Sequence, residues 1–241
     1  MSDLPATALL PPNAAGRRFS TTRTIRLGDV DARGTLRLDA IARYLQDVAS
    51  DDALDAGLPN AMGWVVRRTL ISVTGSGVLN EPVRLTTFCT GAGRSWAERR
   101  TSLVGAADAA VEAASLWVQI DVDSGRPARL GTEFFDLYGA AAGERTVSSK
   151  LSIPAPPVGA ARRRWSFRRA DLDPFDHVNN AAHWVVAEEL LAGQQQRTGS
   201  FELEYLAPVG IGEVELVTTD RHAWLVDGGR TLTALRIGGQ A

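Results

Sequence analysis

The chain has 241 residues, 44% of them hydrophobic and 22% charged, with a formal net charge of −2, the balance of a globular protein with one large or two small domains. That balance leaves no basic footprint for nucleic acid, and no run approaches the roughly 18 to 20 apolar residues of a membrane span. The opening MSDLPATALLPPNAAGRRFS lacks the charged start and continuous apolar core of a secretion signal, so a cytoplasmic location is expected.

In chain order, residues 19–27 suit a strand, and Leu38, Ile41, Ala42, Leu45, Val48 and Ala49 recur at the three-and-four spacing of one helix face. Gly34 and Thr35 supply a start signal for this helix, and Gly57 with Pro59 a stop. Four strand candidates follow: WVVRRTLISV, PVRLTTFCTG, SWAERRTSLV and ASLWVQIDV, the last turned by DSGRP. Cys89, the only cysteine, lies in the second of these and is expected to be a buried small hydrophobe. With one cysteine there is no internal disulfide and no thiolate cluster for zinc. The Pro/Ala-rich residues 140–164, containing PAPP, read as a linker. Its run Arg162, Arg163 and Arg164 is a solvated face or a landing patch for an acidic partner. Beyond it, residues 165–169 suit a strand, Val178, Ala181, Ala182, Val185 and Val186 a helix face, and FELEYLAP, EVELVTT, RHAWLV and RTLTALRI four more strands, with DGG making a hairpin between the last two.

These segments echo one another. RLGDVDARGTLRLDAIARYLQDVA and RRADLDPFDHVNNAAHWVVAEELLAG both open with Arg, two residues, Asp, one residue and Asp before a helical pattern, so Asp29 and Asp31 match Asp171 and Asp173. Each half reads as a strand, a long helix and about four antiparallel strands, and the halves look like copies of one unit. A sheet of this kind buries its apolar face by wrapping one helix.

Most common chemistries are excluded by inspection. GxSxG, HExxH and CxxC are absent, TGSGVLN lacks the third glycine of a dinucleotide loop and runs toward a strand, and His177, His183 and His222 are too scattered for a metal site. No cofactor and no metal are expected. What remains is DLDPFDHVNN, residues 171–180, in front of an apolar segment. A helix starting at residues 177–179 would leave its first N–H groups unpartnered at the positive end of its dipole, where a developing oxyanion could be held. Asp173 just upstream would stay ionised there, able to attack a carbonyl or deprotonate a water, with His177 orienting it and Pro174 stiffening the turn. The competing reading is a capping segment, with Asp176 or Asn179 as N-cap.

HVNN before an apolar helix and after Asp-x-Asp resembles the active-site segment of hotdog-fold thioesterases. The wider pattern, TIRLGDVDARGTLRLDAIARYLQDVASDDA, WVVRRTLISV, SLWVQIDVDSGRPARL, RADLDPFDHVNNAAHW and FELEYLAPVG in that order, is similar to the acyl-acyl-carrier-protein thioesterase family from about Arg18 onward. The resemblance implies an α+β fold, a tandem of two hotdog units, each a long helix wrapped by an antiparallel sheet. The implied bounds are a tail over 1–17, an N-terminal unit over 18–139 forming the acyl pocket, a linker over 140–164, and a catalytic C-terminal unit over 165–241. It implies hydrolysis of fatty acyl thioesters of acyl carrier protein to free fatty acid in fatty acid biosynthesis, with acyl-CoA as the alternative carrier. Asp173 falls on the family's catalytic aspartate, His177 on its histidine, and Asn179 and Asn180 on the paired asparagines. The chain departs from the plant pattern at Phe175, where an asparagine is usual, and at Pro208 and Val209, where a glutamate and a cysteine are usual. Asp176 and Glu204 are candidates to cover part of that work, although Glu204, on an alternating strand, reads as solvent-facing. In the first unit Asp31 is followed by Ala32, Arg33, Gly34 and Thr35, so the histidine is missing and that unit is expected to do no chemistry, with Trp64 lining its pocket or packing in its core. A hotdog dehydratase would need a base on the acyl chain that no motif supplies, and a non-catalytic acyl-thioester sensor remains the reading that the lost asparagine and glutamate favour. A monomer or a homodimer is equally compatible with a tandem chain.

Overall fold

The computed structural model describes residues 15–58, 63–192 and 198–238; the tail before residue 15 and the expected stop at Pro59 lie outside the described residues. Strands β1 (Phe19–Thr24), β2 (Trp64–Gly75), β3 (Pro82–Ala92), β4 (Trp96–Gly105) and β5 (Ala110–Gln119) belong to the first half. Strands β6 (Ala161–Phe167), β7 (Gly199–Tyr205), β8 (Gly212–Thr218), β9 (His222–Asp227) and β10 (Arg230–Ile237) belong to the second. All ten form one sheet in the order β1-β3-β4-β5-β2-β7-β10-β9-β8-β6. Read from either edge toward the middle, the two halves have the same internal order, and they join where β2 pairs antiparallel with β7, with Ile71 opposite Phe201. The repeat seen in the sequence is therefore a repeat of topology.

Helix α1 (Leu38–Asp55) crosses one face of this sheet. Its stripe Leu38, Ile41, Leu45 and Val48 is buried in one continuous core with Ile71, Leu85 and Leu103 of the first half and Phe201, Leu203, Leu216 and Leu235 of the second, as the helical period requires. Strand alternation selects the face: on β7, Phe201, Leu203 and Tyr205 enter this core, while Glu202 and Glu204 point to the other side. The halves are also tied at the helix start, where Leu38 N–H donates to Glu188 Oε1 at 2.6 Å. One of the orphan donors of α1 is thus capped by a carboxylate from the second half.

Two departures from the sequence reading matter for function. Helix α2 (Thr132–Ala142) was not expected; its Phe134, Tyr138 and Ala141 pack with Cys89, Ala97 and Trp64 beside the C-terminal end of α1. The expected linker is ordered at both ends: α2 runs through Ala142, and β6 begins at Ala161. Between them the chain covers the far face of the sheet. Trp96 Nε1 donates to Val147 O and Trp224 Nε1 to Pro154 O, each at 2.8 Å, and this cover explains how carboxylates survive burial on that face. The Arg162–Glu215 and Arg164–Glu213 pairs and the stacking of Arg163 on Trp165 place the three arginines on the edge strand β6.

Candidate active site

Each half carries the same turn built around an aspartate. In the first, Asp31 Oδ1 accepts Arg33 N–H at 2.9 Å and Thr35 N–H at 3.0 Å. In the second, Asp173 Oδ1 accepts Phe175 N–H at 2.8 Å and His177 N–H at 3.2 Å. The surrounding bonds match too: Asp31 N–H to Thr35 O parallels Asp173 N–H to His177 O, and Arg37 N–H to Asp29 O parallels Asn179 N–H to Asp171 O. Upstream, Arg26 N–H donates to Asp29 Oδ2 and Arg168 N–H to Asp171 Oδ2, which is the physical content of the shared Arg and Asp-x-Asp spacing. The Arg168 guanidinium beside Asp171 holds that carboxyl below its ordinary range, so Asp171 is a structural anion of the turn.

The two turns differ in what they present. Asp173 is half-buried, and among the described residues no donor reaches its Oδ2, which leaves that oxygen open to a water. His177 is exposed; its main chain is bonded to Asp173 in both directions, and among the described residues its ring has no partner. The first turn has Thr35 at this place. Phe175, 52% exposed, occupies the tip of the second turn, and Asp176 closes it in a left-handed conformation with φ of 58°, a geometry that aspartate tolerates. Pro208 and Val209 lie against the same turn, where Val209 O accepts Val178 N–H at 2.7 Å.

The helix expected from residues 177–179 begins later. A 3-10 turn over Ala182–Trp184 leads into a six-residue α3, Val185–Leu190. The N–H groups expected to be open are taken: Val178 by Val209 O, Asn179 by Asp171 O, Ala181 by Asn179 Oδ1 at 2.9 Å and Ala182 by Asn179 O. Asn179 therefore closes the turn that leads into this segment, its side chain bonding the backbone two residues on. Between residues 178 and 182 the Asn180 N–H alone has no acceptor among the described residues. Asn180 is also fixed by its carbonyl, which accepts Tyr205 O–H at 3.0 Å, while Tyr205 Oη accepts Trp184 Nε1–H at 3.0 Å.

Glu204 is not brought to this site. It faces the other side of the sheet, 1% exposed, and its carboxylate accepts Ser152 N–H at 2.5 Å and Ile153 N–H at 3.2 Å. The expectation that it faces solvent is corrected by the segment that covers it. Burial pushes its carboxyl up, against the two backbone donors.

Asn180 opens onto a narrow space of about 10 Å³ between the halves, lined also by Ala42, Gln46, Thr69, Trp117 and Tyr205. A larger cavity of about 140 Å³ lies farther along α1, among Ala49, Ala53, Trp64, Cys89, Phe134 and Tyr138. Gln46 and Trp117 line both, and the buried Trp117 Nε1 has no hydrogen-bond partner among the described residues. Trp64 takes its place in the wall with its ring 5.6 Å from Phe134. Cys89 is buried in the same wall, and burial pushes its thiol up. Sequence reasoning did not single out Gln46; the signal available was a polar residue four after Ala42 and three before Ala49 on an otherwise apolar stripe. Among the described residues no group of three or more His, Cys, Asp or Glu could hold a metal ion, and no helix is long and apolar enough to cross a membrane.

Comparison with known proteins agrees with this architecture. Residues 16–138 match the acyl-ACP thioesterase N-terminal domain, and residues 158–235 match the acyl-ACP thioesterase C-terminal domain. An uncharacterised protein of Mycobacterium tuberculosis is 28% identical over 218 residues, 89% of this chain and 87% of that protein. The chloroplastic oleoyl-acyl carrier protein thioesterase 2 of Arabidopsis thaliana is 28% identical over 188 residues, 67% of this chain and 51% of that protein. The crystal structure of an acyl-ACP thioesterase from Bacteroides thetaiotaomicron superposes with a TM-score of 0.76 at 18% identity, covering 92% of this chain and 97% of that one. With both domains of one family matched in order along a sheet whose halves repeat, the chain belongs to the acyl-ACP thioesterase family and is a thioester hydrolase.

Proposed function

We propose that the chain is a tandem of two hotdog units, an N-terminal one over residues 18–139 and a C-terminal one over 165–241, acting on fatty acyl thioesters of acyl carrier protein. The second unit does the chemistry and the first holds the acyl chain. Asp173, with Oδ1 fixed by two backbone N–H groups, uses Oδ2 to take a proton from a water as that water attacks the thioester carbonyl. The oxyanion that forms is stabilised by the Asn180 N–H, a donor held in place before the reaction. Collapse of the tetrahedral species breaks the carbon–sulfur bond, and the proton passes to the departing thiolate through the His177 imidazole at the exposed edge of the turn. The products are the free fatty acid and the carrier thiol.

The observation that carries this reading is the asymmetry between two otherwise equivalent turns. Both hold an aspartate in the same backbone cradle, and only the second has an imidazole and an asparagine leading into a cavity. Glu204 has no part in it, because it lies on the opposite face. The test is thiol release from acyl-acyl-carrier-protein and acyl-CoA substrates. Turnover of the carrier-protein thioesters is expected; binding of acyl thioesters with no thiol release from either carrier would contradict the proposal and leave a sensor.

A further inference from the structure

The repeat carries more than the two aspartate turns. Leu38 stands seven residues after Asp31 as Asn180 stands seven after Asp173, and Gln46 and Glu188 each follow eight residues later. The bonds keep the same register: Leu36 N–H donates to Gly77 O as Val178 N–H donates to Val209 O. The counterpart of the Asn180 N–H is thus the Leu38 N–H, and that donor already has its acceptor, the buried Glu188 Oε1 at 2.6 Å. In the first unit a carboxylate oxygen from the opposite half occupies the place that the oxyanion takes in the second. By the same exchange Gln46, on α1, comes across to Asn180, and the two line one narrow space.

We propose that Gln46 is a catalytic residue of the thioester site, its side-chain amide donating beside the Asn180 N–H to the carbonyl oxygen as that oxygen becomes negative. The inference rests on the reading of Asn180 as the oxyanion donor. The two matched positions differ by the one change this role needs. Ionised glutamate is acceptor-only and caps the idle N–H, whereas glutamine, of the same length, brings two N–H donors and leaves the Asn180 N–H open. The space beside them, about 10 Å³, is about the least that one water needs, so it takes a single oxygen. Its hydroxyls are engaged, since Tyr205 O–H donates to Asn180 O at 3.0 Å and Thr69 Oγ1 and Ser115 Oγ bond each other at 3.3 Å. The side-chain donors without a partner among the described residues are the Gln46 amide and the buried Trp117 Nε1; of these the repeat singles out Gln46. The general base stays in the second unit, and the first lends it a donor as the second lends Glu188 to the first.

The experiment measures kcat and KM for thiol release from acyl-carrier-protein and acyl-CoA thioesters of several chain lengths by wild type, Asp173→Asn, Gln46→Leu and Gln46→Glu. The Asn180 amide proton is followed by NMR in wild type and Gln46→Glu. Gln46→Leu keeps the bulk and loses the donors; its kcat is expected to fall about a hundredfold, the scale of a lost oxyanion donor, with KM within about threefold. Gln46→Glu should fall at least as far. Its carboxylate should also rebuild on Asn180 the bond that Glu188 makes to Leu38, moving the Asn180 amide proton downfield of its wild-type position. Full kcat in a folded Gln46→Leu overturns the inference, and a hundredfold loss in Asp173→Asn would then leave hydrolysis itself standing. A loss confined to KM, or an Asn180 amide that does not move in Gln46→Glu, assigns Gln46 to substrate binding or packing and also overturns it. No thiol release by wild type from either carrier refutes the hydrolytic reading and the role of Gln46 with it. Should Gln46→Leu fail to fold, Gln46→Glu decides by its kcat and its amide shift.

Discussion

Asp52 accepts Arg17 Nε–H at 2.8 Å, Arg99 Nη1–H at 2.6 Å and Tyr138 O–H at 3.0 Å behind the larger cavity, and replacing it by alanine tests how firmly this cluster is held. Asp52 is 1% exposed and is the counter-ion of Arg99, whose side chain is 16% exposed. Burial works against the charge on Arg99, but Asp52 and Tyr138 outweigh it and hold the guanidinium above its ordinary range. The variant leaves a buried cation with no anion, a change that costs about 3–5 kcal/mol. Arg17 adds little to this, because it keeps the exposed Asp55 as a partner at 2.5 Å. With a urea m value of about 3 kcal/mol/M, a loss of about 4 kcal/mol lowers the unfolding midpoint by about 1.3 M. Asp52→Ala combined with Arg99→Met should lose less than the sum of the two single variants, because the uncompensated charge is then gone. Equilibrium urea unfolding of the four proteins reads this directly. A loss below about 1 kcal/mol for Asp52→Ala would refute the reasoning, since that is the scale of a solvated surface pair.

Two further outcomes follow from buried groups. Burial lowers the His183 imidazole to about 4, against a hydrogen bond to Val178. The folded state therefore binds fewer protons than the unfolded state between pH 4 and the ordinary value of 6.5. The stability that neutral His183 contributes is complete above pH 6.5 and is lost as pH falls toward 4, by about 3 kcal/mol; His183→Leu should flatten that part of the pH profile of the urea midpoint, and parallel profiles would contradict it. Glu188→Ala removes the acceptor of Leu38 N–H and with it the cap that one half lends the other. It should cost about 1–3 kcal/mol by thermal or urea unfolding, and a value near zero would mean that the α1 terminus finds another partner.

Much of this architecture is legible in the residues because it rests on local periodicity. The stripe Leu38 to Ala49 specifies α1, alternation specifies the strands, and the repeated Arg and Asp-x-Asp spacing specifies two matching turns most of whose bonds close within four residues. What was illegible depends on partners far along the chain. The N–H groups of Val178 and Asn179 are taken by Val209 and Asp171, so the open helix mouth expected there does not form, and between residues 178 and 182 the Asn180 N–H alone is left without an acceptor among the described residues. The face of Glu204 was readable from alternation, but its burial was not, because it depends on residues 152 and 153 crossing the sheet. Helix α2 was not read from the sequence. Its placement against Asp52, eighty-six positions earlier, was outside any local pattern.

The central claim is that two equivalent aspartates have different jobs, and the kcat for thiol release of Asp31→Asn against Asp173→Asn tests it most directly. Asparagine offers the same Oδ1 to the same two backbone N–H groups, so each variant should keep its turn and lose only the charge. Asp173→Asn is expected to fall at least about a hundredfold, the scale of a lost general base, while Asp31→Asn stays within a few fold of wild type. Equal losses at both positions, or a larger loss at Asp31, would contradict the division of labour between the two units.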